Sequence, residues 1–239
     1  MRLWESARDA VPPDRLFVAG AGCESTRATV RLCRAAAEAG ADAVLVQPPA
    51  FYRAAMSDPV IAAHYRAVAD ASPVPVIVYQ VPLRFSTLEF ATGLVETLAR
   101  HPNIVGIKDS RGSLELVAEL VARTPDDFQV LVGSGAAFYG ALEAGAVGGI
   151  LGVANLMPGE CARIHAAFRD GDSAEAGRIQ ERVGPLHNAV VGGLGVPGVK
   201  AALDRLGLRG GDPRPPLPAL DERGTLAVER ALAEAGLGG

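Results

Sequence analysis

The chain of 239 residues is almost without lysine. Lys and Arg together number 23, yet only Lys108 and Lys200 are lysines and arginine fills every other basic position. A guanidinium does not deprotonate in proteins and cannot serve where a neutral amine is needed, so each surviving lysine poses a chemical question. Cysteine is scarce too. Cys23, Cys33 and Cys161 form an odd set with no CxxC spacing, which argues against a disulfide frame or a zinc site and for reduced thiols. No two of the four histidines, His64, His101, His165 and His187, have metal-ligand spacing. A basic excess is also missing: a net charge of -4 and a pI near 5.6 remove the electrostatic case for a nucleic-acid binder. No apolar run approaches the ~18 residues of a membrane span, and the opening MRLWESARD has no apolar signal core. No membrane partner and a cytoplasmic location are therefore expected. The GK[ST] pattern and the GxSxG nucleophile elbow are absent, and the glycine-rich strand ends at 133–136 and 148–152 do not carry the phosphate-cradling GxGxxG pattern.

What is present is a globular composition, 49% apolar and 21% charged, that can bury a core. Short apolar strands alternate with helical stretches, the signature of a parallel sheet built from βα units. Strands are expected at 16–20, 43–47, 75–80, 103–108, 128–132 and 147–151, nearly continuous in apolar residues, so that both faces are covered. A helix over 26–39 is expected between the first two, capped by Ser25 or Thr26 and ended by Gly40. The near-repeats Glu38-Ala-Gly-Ala and Glu143-Ala-Gly-Ala each end a helix at glycine and turn into a strand. From about 158 the chain turns helical, with helices expected at 158–169, 173–191, 197–206 and 222–235 and an irregular connector from Gly210 to Pro218. The expected organisation is one domain: a (β/α) barrel portion over 1–170 and a C-terminal helical extension over 171–239. Six strands are legible, where a closed (β/α)8 TIM barrel has eight.

In such barrels the chemistry sits at the C-terminal ends of strands. Lys108 ends the strand Asn103-Ile-Val-Gly-Ile-Lys108. Desolvation there disfavours the ammonium and frees the amine to attack a ketone and form a Schiff base; the alternative is an ion pair with a nearby carboxylate, and Asp109 is next in sequence. Tyr79, near the end of the preceding strand, could pass protons to and from a substrate carbonyl or be a core tyrosine. Arg84, beyond Pro82, could grip a carboxylate bidentately or be a solvated loop residue. Gly133-Ser-Gly-Ala and Gly148-Gly-Ile-Leu-Gly152 are glycine-rich strand ends that allow close backbone approach to a ligand.

At Tyr79-Gln-Val-Pro-Leu-Arg84 and Gly106-Ile-Lys-Asp-Ser110 the chain resembles the dihydrodipicolinate synthase / N-acetylneuraminate lyase family of class I aldolases. The first segment is similar to that family's Y-x-V-P-x-R and the second to its G-x-K strand. The resemblance implies that Lys108 forms an imine with pyruvate or another 2-oxo acid and that Tyr79 is the proton-relay phenol. It implies that Tyr52 is the tyrosine lent across a subunit interface, that the backbones of Gly133 and Ile150 face the substrate, and that Arg84 holds the second substrate's carboxylate. It further implies no metal or organic cofactor, a 2-oxo acid and an aldehyde as small-molecule partners, and a homotetramer or homodimer.

Ala21-Gly-Cys-Glu-Ser-Thr26, His64 to Asp70, Lys108-Asp-Ser110 and Gly195 to Lys200 resemble most the 4-hydroxy-2-oxoglutarate aldolase branch, in which Ser110 is characteristic and would meet substrate. Arg84 resembles the synthase branch instead, and Gln80 and Leu83 depart from the commoner Y-N-V-P-G-R. Expected is therefore a pyruvate-dependent aldolase or lyase, with pyruvate and glyoxylate as products or, alternatively, pyruvate and aspartate semialdehyde as substrates. Nothing matches the family's first two βα units or their G-T-T-G-E carboxylate loop, and Met1 to Ala10 resembles the helix after the second strand. The expectation is a native gene that begins about two βα units upstream; a catalytically inactive relic is the rival from another class.

Overall fold

A computed structural model describes residues 2–237; Met1, at the start of the first expected segment, lies outside them. The strands are parallel where their pairing is resolved and follow one another in chain order: β1 (Val18–Gly20), β2 (Ala43–Val46), β3 (Val76–Gln80), β4 (Ile104–Asp109), β5 (Gln129–Val132) and β6 (Gly148–Gly149). The fold is thus α/β with six parallel strands, each within a residue or two of its expected position. The chain gathers into two compact units, Met1–Leu131 with Gly145–Val147, and Val132–Ala144 with Gly148–Gly239.

In the first unit, helices α1 (Arg2–Ala10), α2 (Thr26–Glu38), α3 (Asp58–Ala71), α4 (Thr92–Ala99) and α5 (Leu114–Arg123) alternate with β1 to β5. Helix α2 starts where Ser25 Oγ accepts the Ala28 N–H, and the chain leaves it through Gly40 at φ +83°, a conformation open to glycine at little cost. Consecutive crossovers of one hand put the helices on one side of the sheet. That side is fully buried: Val44, Val46, Val76 and Val78 are each 0% exposed, and each valine contributes about 1.5–3 kcal/mol of burial. The opposite side is only half covered at Leu45, Tyr79 and Lys108. The apolar run of these strands thus reflects one dry face, and in β3 and β4 the last residues on the other face, Tyr79 and Lys108, are polar.

Three devices fix the strand ends. Asn103 Nδ2 donates to the carbonyls of Ala69 at 2.8 Å and Ser72 at 3.1 Å, satisfying acceptors at the end of α3 and pinning the start of β4. The buried Tyr65 hydroxyl donates to Val46 O at 2.9 Å. Gly106 leaves room for β5: a Cβ there would stand 2.3 Å from Gln129 O.

The second unit holds α6 (Phe138–Glu143), β6, α7 (Pro158–Arg169), α8 (Ser173–Leu186), α9 (Gly195–Arg205) and α10 (Glu222–Glu234). The helix expected over 173–191 stops being an α-helix at Leu186 and widens into a π-helix over His187–Leu194. Pro185 lies inside the last turn and has no N–H to give to the carbonyl four residues back, so the regular ladder fails there. Lys200 Nζ donates to Gly210 O at 2.5 Å, and Asp204 accepts the Gly210 N–H at 2.8 Å. One of the two lysines is thereby absorbed in holding the connector. Among the described residues no helix is long and apolar enough to cross a membrane.

Candidate functional site

Strand periodicity decides the site. Tyr79 pairs with Lys108 and Gln80 with Asp109 across β3 and β4. Neighbours along a strand point to opposite faces, so Tyr79 and Lys108 share the half-covered face while Gln80 and Asp109 share the buried one. The Lys108 Nζ lies 4.2 Å from the centroid of the Tyr79 ring. The alternative partner for Lys108 fails on this geometry. Asp109 is 3% exposed and turns the other way, its Oδ2 accepting from Arg111 Nη2 at 2.5 Å and Nε at 2.9 Å. Among the described residues no carboxylate forms an ion pair with Lys108.

Arg111 also donates to the Glu89 carboxylate at 3.1 Å and to Phe90 O at 3.3 Å. Burial works against its charge, but the hydrogen bonds and charges of Asp109 and Glu89 more than offset this and hold its pKa above the usual arginine value. Gln80, 0% exposed, donates from Nε2 to Val81 O at 2.9 Å and Leu88 O at 3.1 Å, and accepts the Phe90 N–H at 2.7 Å. Ser110 follows directly: its N–H donates to Gln80 O at 3.0 Å, and its Oγ is buried without a protein partner. A buried hydroxyl left unpaired is uncommon and asks for an explanation.

Arg84 and Tyr52 are carried by loops. Arg84 follows β3 on an exposed segment, its Cζ 4.7 Å from the Phe85 ring centroid. Tyr52 follows β2, is 71% exposed and meets the Phe51 ring edge-on at 5.1 Å. Glu24, beyond the end of β1, steadies that tip: its Oε2 accepts the Ala50 and Phe51 N–H groups at 2.9 and 3.0 Å. Gly133 and Ile150 belong to the second unit, where Ile150 N–H donates to Val132 O at 2.9 Å. Nearby, Gln180 Nε2 donates to Gly135 O at 2.9 Å, and His187 Nδ1 accepts the Gly135 N–H at 3.2 Å. In the first unit, the structure therefore brings Tyr79 and Lys108 into contact, with Ser110 two residues on. Reading residue types missed Glu89, Arg111 and Glu24, offered Asp109 only as a partner for Lys108, and noted Gln80 only as a departure from the family segment. Alternation alone placed Gln80 and Asp109 opposite the lysine face, which was the available signal.

A lysine and a tyrosine paired at strand ends of a parallel sheet match a family pattern, and comparison with known proteins agrees. The Dihydrodipicolinate synthetase family matches residues 1–235. The chain belongs to that family. It is 36% identical to the "Probable 4-hydroxy-2-oxoglutarate aldolase, mitochondrial" of Emericella nidulans over 91% of this chain and 70% of that protein. It is 39% identical to the 4-hydroxy-tetrahydrodipicolinate synthase of Hyphomonas neptunium over 92% of this chain and 75% of that one. Among solved structures it resembles the dihydrodipicolinate synthase of Acinetobacter baumannii complexed with pyruvate, at 29% identity and a TM-score of 0.93, covering 99% of this chain and 80% of the other. It also resembles the lysine-bound synthase of Cyanidioschyzon merolae, at 30% identity and a TM-score of 0.90, covering 99% and 80%. As a dihydrodipicolinate synthetase family protein the chain is a carbon–carbon lyase of the class I pyruvate aldolase type.

Proposed function

We propose that the chain cleaves or forms 4-hydroxy-2-oxoglutarate, with pyruvate and glyoxylate on the other side of the reaction. The observation that carries the chemistry is the Tyr79–Lys108 pair at 4.2 Å. In this reading the neutral Lys108 amine attacks the C2 carbonyl of the 2-oxo acid. Tyr79 gives a proton to the carbinolamine oxygen, which leaves as water, and the resulting iminium takes up the electron pair when the C3–C4 bond breaks. The phenolate then recovers a proton from the C4 hydroxyl, releasing glyoxylate. The enamine left behind is protonated at C3 and hydrolysed to pyruvate, restoring Lys108.

The Ser110 hydroxyl supports this substrate over the synthase alternative: it is buried, unpartnered and two residues from the nucleophile, so it can hydrogen-bond a polar substituent of the substrate. Arg84 supports a second carboxylate on that substrate, a group glyoxylate carries. The exposed rings of Phe51 and Tyr52, 78% and 71% accessible, support packing against a second copy of the chain as a homodimer or homotetramer.

Borohydride reduction in the presence of pyruvate tests the chemistry. A mass adduct on Lys108, absent in Lys108→Arg, is expected; a folded wild-type chain without adduct overturns the reading. Pyruvate release from 4-hydroxy-2-oxoglutarate, measured beside consumption of aspartate semialdehyde with pyruvate, tests the substrate, and faster turnover of the second pair would favour the synthase.

A further inference from the structure

We infer that Gln80 and the Asp109–Arg111 pair are positioning residues for the segment carrying Arg84, and so set how the second, carboxylate-bearing part of the substrate is held. This rests on the function proposed above.

The chain leaves β3 at Gln80, turns where the Phe85 N–H donates to Pro82 O at 2.9 Å, and comes back to β3 at Leu88–Phe90. One side chain closes this excursion. Gln80 bonds its outgoing end at Val81 O and its returning end at Leu88 O and Phe90 N–H, which makes the segment an Ω-like loop with tied ends. A second grip comes from β4, where Arg111 reaches Glu89 and Phe90 O and is itself fixed by Asp109. The Asp109 and Arg111 side chains are 2% and 4% exposed. Burying an ion pair and a primary amide gains little stability over apolar residues of the same volume. What a fully satisfied polar network supplies is one defined geometry.

The ladder shows what that geometry serves. The Gln80–Asp109 rung directly follows the Tyr79–Lys108 rung, so the same two strands hold the reacting pair on one face and the loop clamp on the other. Lys108 and Tyr79 are held by the strands themselves. The Arg84 loop depends on the clamp. Loosening the clamp should therefore weaken recognition of the second carboxylate and spare imine formation with pyruvate.

The experiment uses Gln80→Met, which removes three hydrogen bonds at nearly constant volume, and the milder Arg111→Lys, which keeps the charge and loses the fork. For each, borohydride trapping with pyruvate and the KM and kcat for 4-hydroxy-2-oxoglutarate are measured in the full chain. The expected result is a KM raised about tenfold or more, with pyruvate trapping within about twofold of wild type and faster hydrogen exchange confined to 81–91. An unchanged KM in Arg111→Lys, or a parallel loss of trapping and turnover, overturns the positioning role even if Gln80→Met fails to fold. A wild-type chain that traps no pyruvate overturns the functional reading first, before any variant is compared, and the positioning role with it.

Discussion

Tyr79 and Lys108 stand opposite one another in the β3–β4 ladder, and the lysine Nζ sits 4.2 Å from the centre of the tyrosine ring. The ring packs against the lysine side chain, while the hydroxyl at its tip is the group able to move a proton. Tyr79→Phe separates the two roles. It keeps the ring and removes the hydroxyl, so kcat for the aldol cleavage should fall about 10²–10⁴-fold while the melting temperature moves little. A steady-state assay beside a thermal melt checks this, and a loss below about threefold would remove Tyr79 from the proton path.

Gly106→Ala should damage the fold rather than the chemistry. The new Cβ would stand 2.3 Å from Gln129 O and 3.0 Å from Gln129 Cβ, and backbone on a neighbouring strand cannot swing aside. Overpacking of this kind costs about 1–3 kcal/mol, a drop of several degrees in Tm for a chain of this size. Differential scanning calorimetry measures it.

His64 predicts the acid limb of the stability curve. Burial lowers its pKa from 6.5, and its Nδ1 lies 2.9 Å from Thr26 Oγ1. Below pH 6.5 the unfolded chain takes up a proton that the folded chain resists, so the unfolded state binds more protons and stability falls with falling pH. Above 6.5 this contribution is fully present. Melting temperatures measured from pH 8 down to pH 5 should decline through that window, and His64→Leu should flatten the slope; an equal slope in the variant would contradict the assignment.

The three thiols should separate in reactivity. Burial pushes Cys33 and Cys161 up to about 11, and Cys33 is 0% and Cys161 7% exposed. At pH 8 only roughly a thousandth of either is thiolate, the reactive form, whereas Cys23 is half-buried. Iodoacetamide with peptide mapping should label Cys23 in the native protein and reach Cys33 and Cys161 only after denaturation.

The strands were readable because a parallel strand with one dry face and one half-covered face reads as a short apolar run, and all six expected runs carry a strand. The helix start at Ser25 and the exit through Gly40 were readable from capping chemistry. Lys108 stood out because lysine is so rare here and because it closes a strand. The π-helix after Pro185 was less readable: proline marks where a regular helix weakens, but whether it kinks, stops or widens depends on what packs around it. Residue type also offered Asp109 to Lys108 as an ion-pair partner, and adjacency in sequence misled there, since neighbours on a strand face opposite ways.

The sequence by itself determined the parallel α/β order and the family motifs and singled out the lysine proposed as nucleophile, because these rest on local periodicity and on residue chemistry at fixed spacing. Only the tertiary structure decided which groups meet. Register set Tyr79 beside Lys108, placed Gln80 and Asp109 on the far face where they clamp the Arg84 loop, and left the Ser110 hydroxyl buried without a partner. Those outcomes depend on the alignment of strands separated by whole helices, and a one-residue slip of a strand would turn every side chain on it to the other face.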